Sequence, residues 1–121
     1  MSVPVWNPAV EFMEREALER LQLASLRQTV AWALKTPLYR RRLAEVGLTH
    51  PEDLGSLRDL RQLPYTTKDD LRAAFPDGLL AVDLERTVRL HTSSGTTGMP
   101  TVIYHTRRDI DHWTELVARC I

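Results

Sequence analysis

The chain has 121 residues, the length of one ordinary domain. Its 16 Lys and Arg balance 16 Asp and Glu, which excludes the broad basic footprint of a non-specific nucleic-acid binder. A hydrophobic fraction of 43% with 26% charged residues is that of a globular chain rather than a disordered one. Surface scaling anticipates a folded area of roughly 6,700 Å², with about two-thirds of the unfolded surface buried. No apolar run approaches the ~18–20 residues that span a bilayer. The start, Met1-Ser2-Val3-Pro4-Val5-Trp6-Asn7-Pro8, lacks the basic and apolar regions of a signal peptide. A single cysteine, Cys120, forms no internal disulfide and no thiolate cluster for zinc. The expected address is cytoplasmic.

Residues 7–75 read as helical. Asn7 is placed to cap a helix that has Pro8 in its first turn. Val10, Met13, Ala17 and Leu21, then Leu23, Leu26, Val30 and Ala33, recur at spacings of three and four. They predict one long amphipathic helix ending before Pro37. A second helix is expected over Leu38–Val46, stopped by Gly47. Short helical turns are expected near Asp53–Leu54 and Leu57–Leu60. Thr67 with Asp70 forms a capping pair that predicts a helix over Lys68–Phe75, and Pro76-Asp77-Gly78 forces a turn.

From residue 85 the period changes to two. Arg86–Thr92 alternates polar and apolar residues in the manner of a half-buried strand, and Thr101–His105 is a second β-prone run. Thr106 with Asp109 opens a further helix carrying Ile110, Trp113, Leu116 and Val117, expected to run on through Ile121. The fold class is therefore α/β or α+β, with residues 1–80 mostly helical and residues 85–121 forming strand, loop, strand and helix.

The loop between the two strands carries the chemistry. Ser93-Ser94-Gly95-Thr96-Thr97-Gly98-Met99-Pro100 has two glycines, which let successive N–H groups turn inward around an anion. Ser93, Ser94, Thr96 and Thr97 add neutral donors, and Pro100 fixes the exit. This is neither a Walker A loop, since no Gly-Lys-Ser/Thr follows, nor a G-x-G-x-x-G fingerprint. The bland alternative is a flexible Ser/Thr/Gly connection without a ligand. Gly95-Thr96-Thr97-Gly98 is also a GXXG, as in nucleic-acid-binding modules, but there the motif joins two helices on a basic surface.

The stretch Ser93–Thr101 resembles the phosphate-binding signature of the adenylate-forming enzymes. Leu63-Pro64-Tyr65-Thr66-Thr67-Lys68-Asp69-Asp70-Leu71-Arg72, Phe75-Pro76-Asp77-Gly78-Leu79 and Arg89-Leu90-His91-Thr92 are similar to the phenylacetate–CoA ligase family within that superfamily. Tyr39-Arg40, Asp59-Leu60 and the run from Trp113 to Cys120 fit the same pattern. The resemblance implies a two-step ligase that joins a carboxylic acid to AMP, releases diphosphate, and passes the acyl group to coenzyme A. It implies that Ser93, Ser94, Gly95, Thr96, Thr97 and Gly98, with Thr101 and His91 beside them, hold the ATP phosphates while Mg²⁺ shares their charge. Many such enzymes carry a lysine in or just after this loop. Met99 and Thr101 stand there instead, Thr101 being common in the phenylacetate branch and Met99 less so.

Such enzymes are several times longer, so the resemblance implies the N-terminal portion of an AMP-binding domain, inactive alone and with no catalytic residue of its own. The partners implied are the acid, ATP and CoA, with no nucleic acid and no membrane. Two other classes remain open, a non-catalytic assembly or nucleotide-binding module and, less favoured, a GXXG nucleic-acid-binding module; a homo-oligomer is a further partner expectation. His91, His105 and His112 lack the spacing and company of a metal site, so no protein-held metal is expected. His91 is placed either to touch a phosphate or to pack at a strand end. Arg40-Arg41-Arg42 reads as a solvated face. Trp6, Trp32 and Trp113 read as core or interface anchors.

Overall fold

The computed structural model describes residues 5–93 and 100–120. Five helices occur in chain order: α1 (Pro8–Glu11), α2 (Arg15–Ala33), α3 (Pro37–Glu45), α4 (Lys68–Ala73) and α5 (Arg107–Ala118). Short 3₁₀ turns lie at Pro51–Asp53, Leu57–Gln62 and Leu84–Arg86. The strands β1 (Thr87–Thr92) and β2 (Val102–Thr106) pair antiparallel just before α5.

Local chemistry places most of these ends. Thr36 precedes α3 in extended backbone, and Pro37 takes the first helical position. Gly47 stops α3 with a φ of 78°, left-handed backbone that glycine adopts without a Cβ clash. Thr67 and Thr106 close reciprocal capping boxes with Asp70 and Asp109. Ser56 and Asp59 close another, which the sequence analysis did not single out.

Two helix expectations are corrected. The long N-terminal helix is broken at Phe12–Glu14, leaving α1 as a separate turn. Asn7 makes no side-chain cap on α1. Its Nδ2 donates to Glu115 Oε1 at 3.1 Å instead, while Trp6 Nε1 donates to Glu115 Oε2 at 3.0 Å. A tie to α5 sets the direction of α1, and the local periodicity carries no trace of it. At the other end, α5 stops at Ala118 with Arg119 as its C-cap, so it does not run on.

Val30 of α2, Leu43 of α3, Leu48 and Leu54 form the core, flanked by Leu23, Leu26, Ala33, Leu34, Tyr39 and Leu63. Arg27 seals one side by donating Nε and Nη2 to the Leu54 carbonyl at 3.0 and 2.7 Å. That core is smaller than the length promised. The accessible surface is 9478 Å², well above the roughly 6,700 Å² of a compact chain of this mass.

Arg42 corrects the solvated-face reading of the basic run. It reaches from α3 to α4, where Nη1 and Nη2 donate to the two Asp70 oxygens at 2.8 and 2.5 Å, and Nη1 also donates to the Tyr65 carbonyl. This fork fixes α4 against α3. The Arg42 guanidinium, then the Thr67 N–H and hydroxyl, hold the Asp70 carboxyl well below the usual carboxylate range.

Thr67→Ala should cost about 1 kcal/mol through the lost cap, a fall of about 4 °C in melting temperature. Asp70→Ala should cost more, because it also releases Arg42. A carboxyl with a depressed folded pKa stabilises above its unfolded pKa and loses that contribution as pH falls. The gap between wild type and Asp70→Ala should therefore narrow below about pH 4, as read by thermal melts across pH.

Candidate phosphate-binding site

The strand register sets the neck of the loop. Thr92 pairs with Val102 and His91 with Ile103, so the chain leaves β1 and re-enters β2 at neighbouring points. Beyond the last pair the ladder continues through one backbone bond and two side chains. Ser93 N–H donates to the Thr101 carbonyl at 3.1 Å, Thr101 N–H donates to Ser93 Oγ at 3.3 Å, and the two hydroxyls share a bond of 2.6 Å. Two sequence candidates, Ser93 and Thr101, thus meet as one closed neck. Ser94, Gly95, Thr96, Thr97, Gly98 and Met99 lie outside the described residues.

The strand below the neck is braced by α5. Directly paired residues share a face of an antiparallel sheet, which puts His91 and Ile103 beside Arg89 and His105. The His91 ring lies 4.6 Å from that of His105 and 5.3 Å from Trp113, the latter edge-on at 74°. His105 stacks on Trp113 at 6.1 Å and 25°. Of the two roles open to His91, packing is the one its surroundings supply. Among the described residues no group of three His, Cys, Asp or Glu is placed to hold a metal ion.

Sequence reasoning missed the brace and its anchor. Trp113 was named only as an apolar anchor, and it is about half exposed while it packs on the two histidines. Glu115, one turn-half further on, ties Trp6 and Asn7 to α5. Those bonds, led by the Trp6 indole, hold its carboxyl below the usual glutamate value. The Thr106 cap lowers Asp109 too, overcoming the larger opposing effect of burial. The period-two alternation did place His91 on a face. Nothing in it shows that His105 and Trp113 share that face.

The Ser93 and Thr101 amides are spent within the neck, which leaves the hydroxyl pair as the polar group it presents. The neck brings hydroxyls rather than carboxylates to the loop ends, which suits an anion.

The fold is that of the N-terminal part of the adenylate-forming ligases. A 2-hydroxyisobutyryl-CoA ligase in complex with 2-HIB-AMP and CoA, in its thioesterification state, superposes with a TM-score of 0.80 at 33% identity. The match covers 95% of this chain and 25% of that one. The same ligase in an open conformation gives 0.79 at 31% identity, over 95% of this chain and 27% of that one. In sequence, the phenylacetate–coenzyme A ligase of Pseudomonas putida is 46% identical over 98% of this chain and 26% of its own length. That of Escherichia coli (strain K12) is 43% identical over 97% of this chain and 28% of its own. No protein-family model matches. Along nearly its whole length the chain is similar to phenylacetate–CoA ligases, and it spans about a quarter of the length of the curated relatives it matches.

Ser93→Ala removes both the acceptor of the Thr101 N–H and the hydroxyl pair. The Thr101 amide should then exchange about five- to tenfold faster, as expected for a hydrogen bond worth roughly 1 kcal/mol. Amides of β1 away from the neck should keep their rates. Hydrogen exchange followed by NMR reads both.

Proposed function

We propose that this chain is the N-terminal, phosphate-gripping portion of an ATP-dependent aryl- or acyl-CoA ligase, with phenylacetate–CoA ligase as the nearest activity. The overall reaction is acid, ATP and CoA to acyl-CoA, AMP and diphosphate through an acyl adenylate. One observation carries the reading. Four phenylacetate–coenzyme A ligases are 42–46% identical to the chain across 97–98% of its residues. The structural neighbours, complexes of a 2-hydroxyisobutyryl-CoA ligase with 2-HIB-AMP and CoA, support it.

In the first step a carboxylate attacks the α-phosphorus and diphosphate leaves. Both reactants are anions, so the β- and γ-phosphates must be held in place while charge gathers on them. The residues proposed for this are Ser93, Ser94, Gly95, Thr96, Thr97 and Gly98, with Thr101 and His91 supporting the loop ends. Glycine lets N–H groups converge and the hydroxyls follow the phosphate oxygens. Mg²⁺ is part of the proposal as a companion of the phosphates. It prefers oxygen ligands, and the described residues gather no acidic set to cage it, so this chain's own share is neutral donation.

The second step, attack by the CoA thiol on the acyl adenylate, no longer involves those two phosphates. The acid pocket, the adenine and ribose contacts and the acid–base groups belong to the remainder of the enzyme. The chain alone is accordingly proposed to be inactive. Among the described residues no helix is long and apolar enough to cross a membrane, and Cys120 is free and exposed. The address proposed is the cytoplasm.

The test is a chimera in which this chain replaces the aligned quarter of the Pseudomonas putida ligase. With phenylacetate, ATP and CoA it should yield AMP and diphosphate; ADP as product would defeat the reading. Thr96→Ala in that chimera should slow adenylate formation about 10²–10³-fold, the loss typical of one donor at a developing charge. Thioester formation from supplied acyl adenylate should be nearly unchanged. Equal slowing of both half-reactions in single-turnover kinetics would make the loop a structural element only.

A further inference from the structure

The helix α5 is held from two sides. Trp113 and Glu115 stand two residues apart, about 200° around a helix of 3.6 residues per turn, and so leave it in nearly opposite directions. Trp113 meets the hairpin, its ring centroid 5.3 Å from that of His91 on β1 and 6.1 Å from that of His105 on β2. Glu115 meets the segment before α1. Its Oε2 accepts from Trp6 Nε1 at 3.0 Å and its Oε1 from Asn7 Nδ2 at 3.1 Å, while Arg119 Nη2 lies 3.7 Å from Oε1. Apolar burial adds little to this fastening, since α1 has no buried residue and Trp6 is 60% exposed. Hydrogen bonds to an ionised acceptor are the stronger kind, and one carboxylate collects both.

We propose that Glu115 is a positioning residue of the phosphate loop: with Trp6 and Asn7 it holds α5 onto the hairpin and so keeps the Ser93–Thr101 neck closed. The inference rests on the loop reading above and extends it to a residue outside the loop. The route is short. One indole bridges β1 and β2 through the two histidines. His91 is followed at once by Thr92, the last strand pair, and then by the neck bonds. An isolated two-stranded hairpin is marginally stable in water, and β1 and β2 form a sheet of two strands, so the neck depends on support from outside the sheet. Rolling α5 about its axis would lift the Trp113 ring from both histidines. Bonds made on the far side of the helix, as Glu115 makes them, oppose that roll. The cap at Thr106 fixes the first turn of α5 and leaves its second half to the Glu115 clasp.

Hydrogen exchange of this chain, followed by NMR, tests the clasp independently of any activity. In Glu115→Ala the Ser93 and Thr101 amides should exchange about two- to tenfold faster, the range for losing one or two ordinary hydrogen bonds. Trp6→Phe, which removes the indole donor at an exposed position, should give part of the same acceleration, and it decides the matter where Glu115→Ala fails to fold. Added to Glu115→Ala it should give no more, because the two act through one contact. Thr67→Ala separates the clasp from general stability, lowering the melting temperature while both neck amides keep their rates. Neck exchange indifferent to Glu115, additive effects of the two substitutions, or equal acceleration by Thr67→Ala would each overturn the proposal. In the ligase chimera, Glu115→Ala should slow adenylate formation by a similar factor and spare thioester formation from supplied acyl adenylate. Equal slowing of both half-reactions overturns the positioning role. A chimera that makes no AMP refutes the proposed activity and leaves the clasp, judged by exchange, standing. An active chimera whose neck exchange ignores Glu115 does the reverse.

Discussion

The pairing of Thr92 with Val102, extended by the Ser93–Thr101 contacts, governs the distance between the two ends of the loop. Everything nearby serves that register. Moving the pairing by one residue would turn His91 and His105 to opposite faces of the sheet, so only one of them would still meet Trp113 and α5 would lose part of its seat. The bulge between Thr87 and Arg89 shows where the register is adjusted. It lies at the far end of the hairpin, so the irregularity falls away from the neck, and the pairs from Arg89 to Thr92 follow one another without interruption.

The helical half supplies support of a different kind. Its core is four side chains, and polar clasps do much of the fastening between elements. Arg27 holds the Leu54 carbonyl, and Arg42 holds Asp70 and the Tyr65 carbonyl. Tyr39 and Thr66 share a hydroxyl contact beside the latter. Such clasps keep α3 and α4 in register without a large apolar contact between them. That is economical in a chain that leaves much of its apolar surface outside.

How much of this was legible follows from where each signal resides. Gly47, Thr67 with Asp70, and Thr106 with Asp109 act within four residues, and the ends they fix fall within two residues of expectation. The strand pair was legible because alternation is a local property as well. The partner of Arg42 is 28 residues away and that of Trp6 is 109. No periodicity reports such distances, so the break after α1, the role of Asn7 and the buttressing of α4 were invisible. The same holds for surface. Composition implies a core, yet Leu90, Leu116 and Val117 stay half in water. The neck of the candidate site was legible in its residues, Ser93 and Thr101, but not in their mutual contact.

Neutral donors bear on how such a loop works. A lysine in the loop would bring its own counter-charge to a polyphosphate, whereas Met99 and Thr101 bring none, and the chain as a whole is neutral. Hydroxyls and amides orient an anion well but cancel little of its charge. On the proposed function, the grip of this loop therefore depends on charge delivered from outside it, by the cation that travels with ATP and by the rest of the enzyme. Water screens the exposed neck, since Ser93 faces solvent. Covering the hairpin would lower the local dielectric and strengthen each donor.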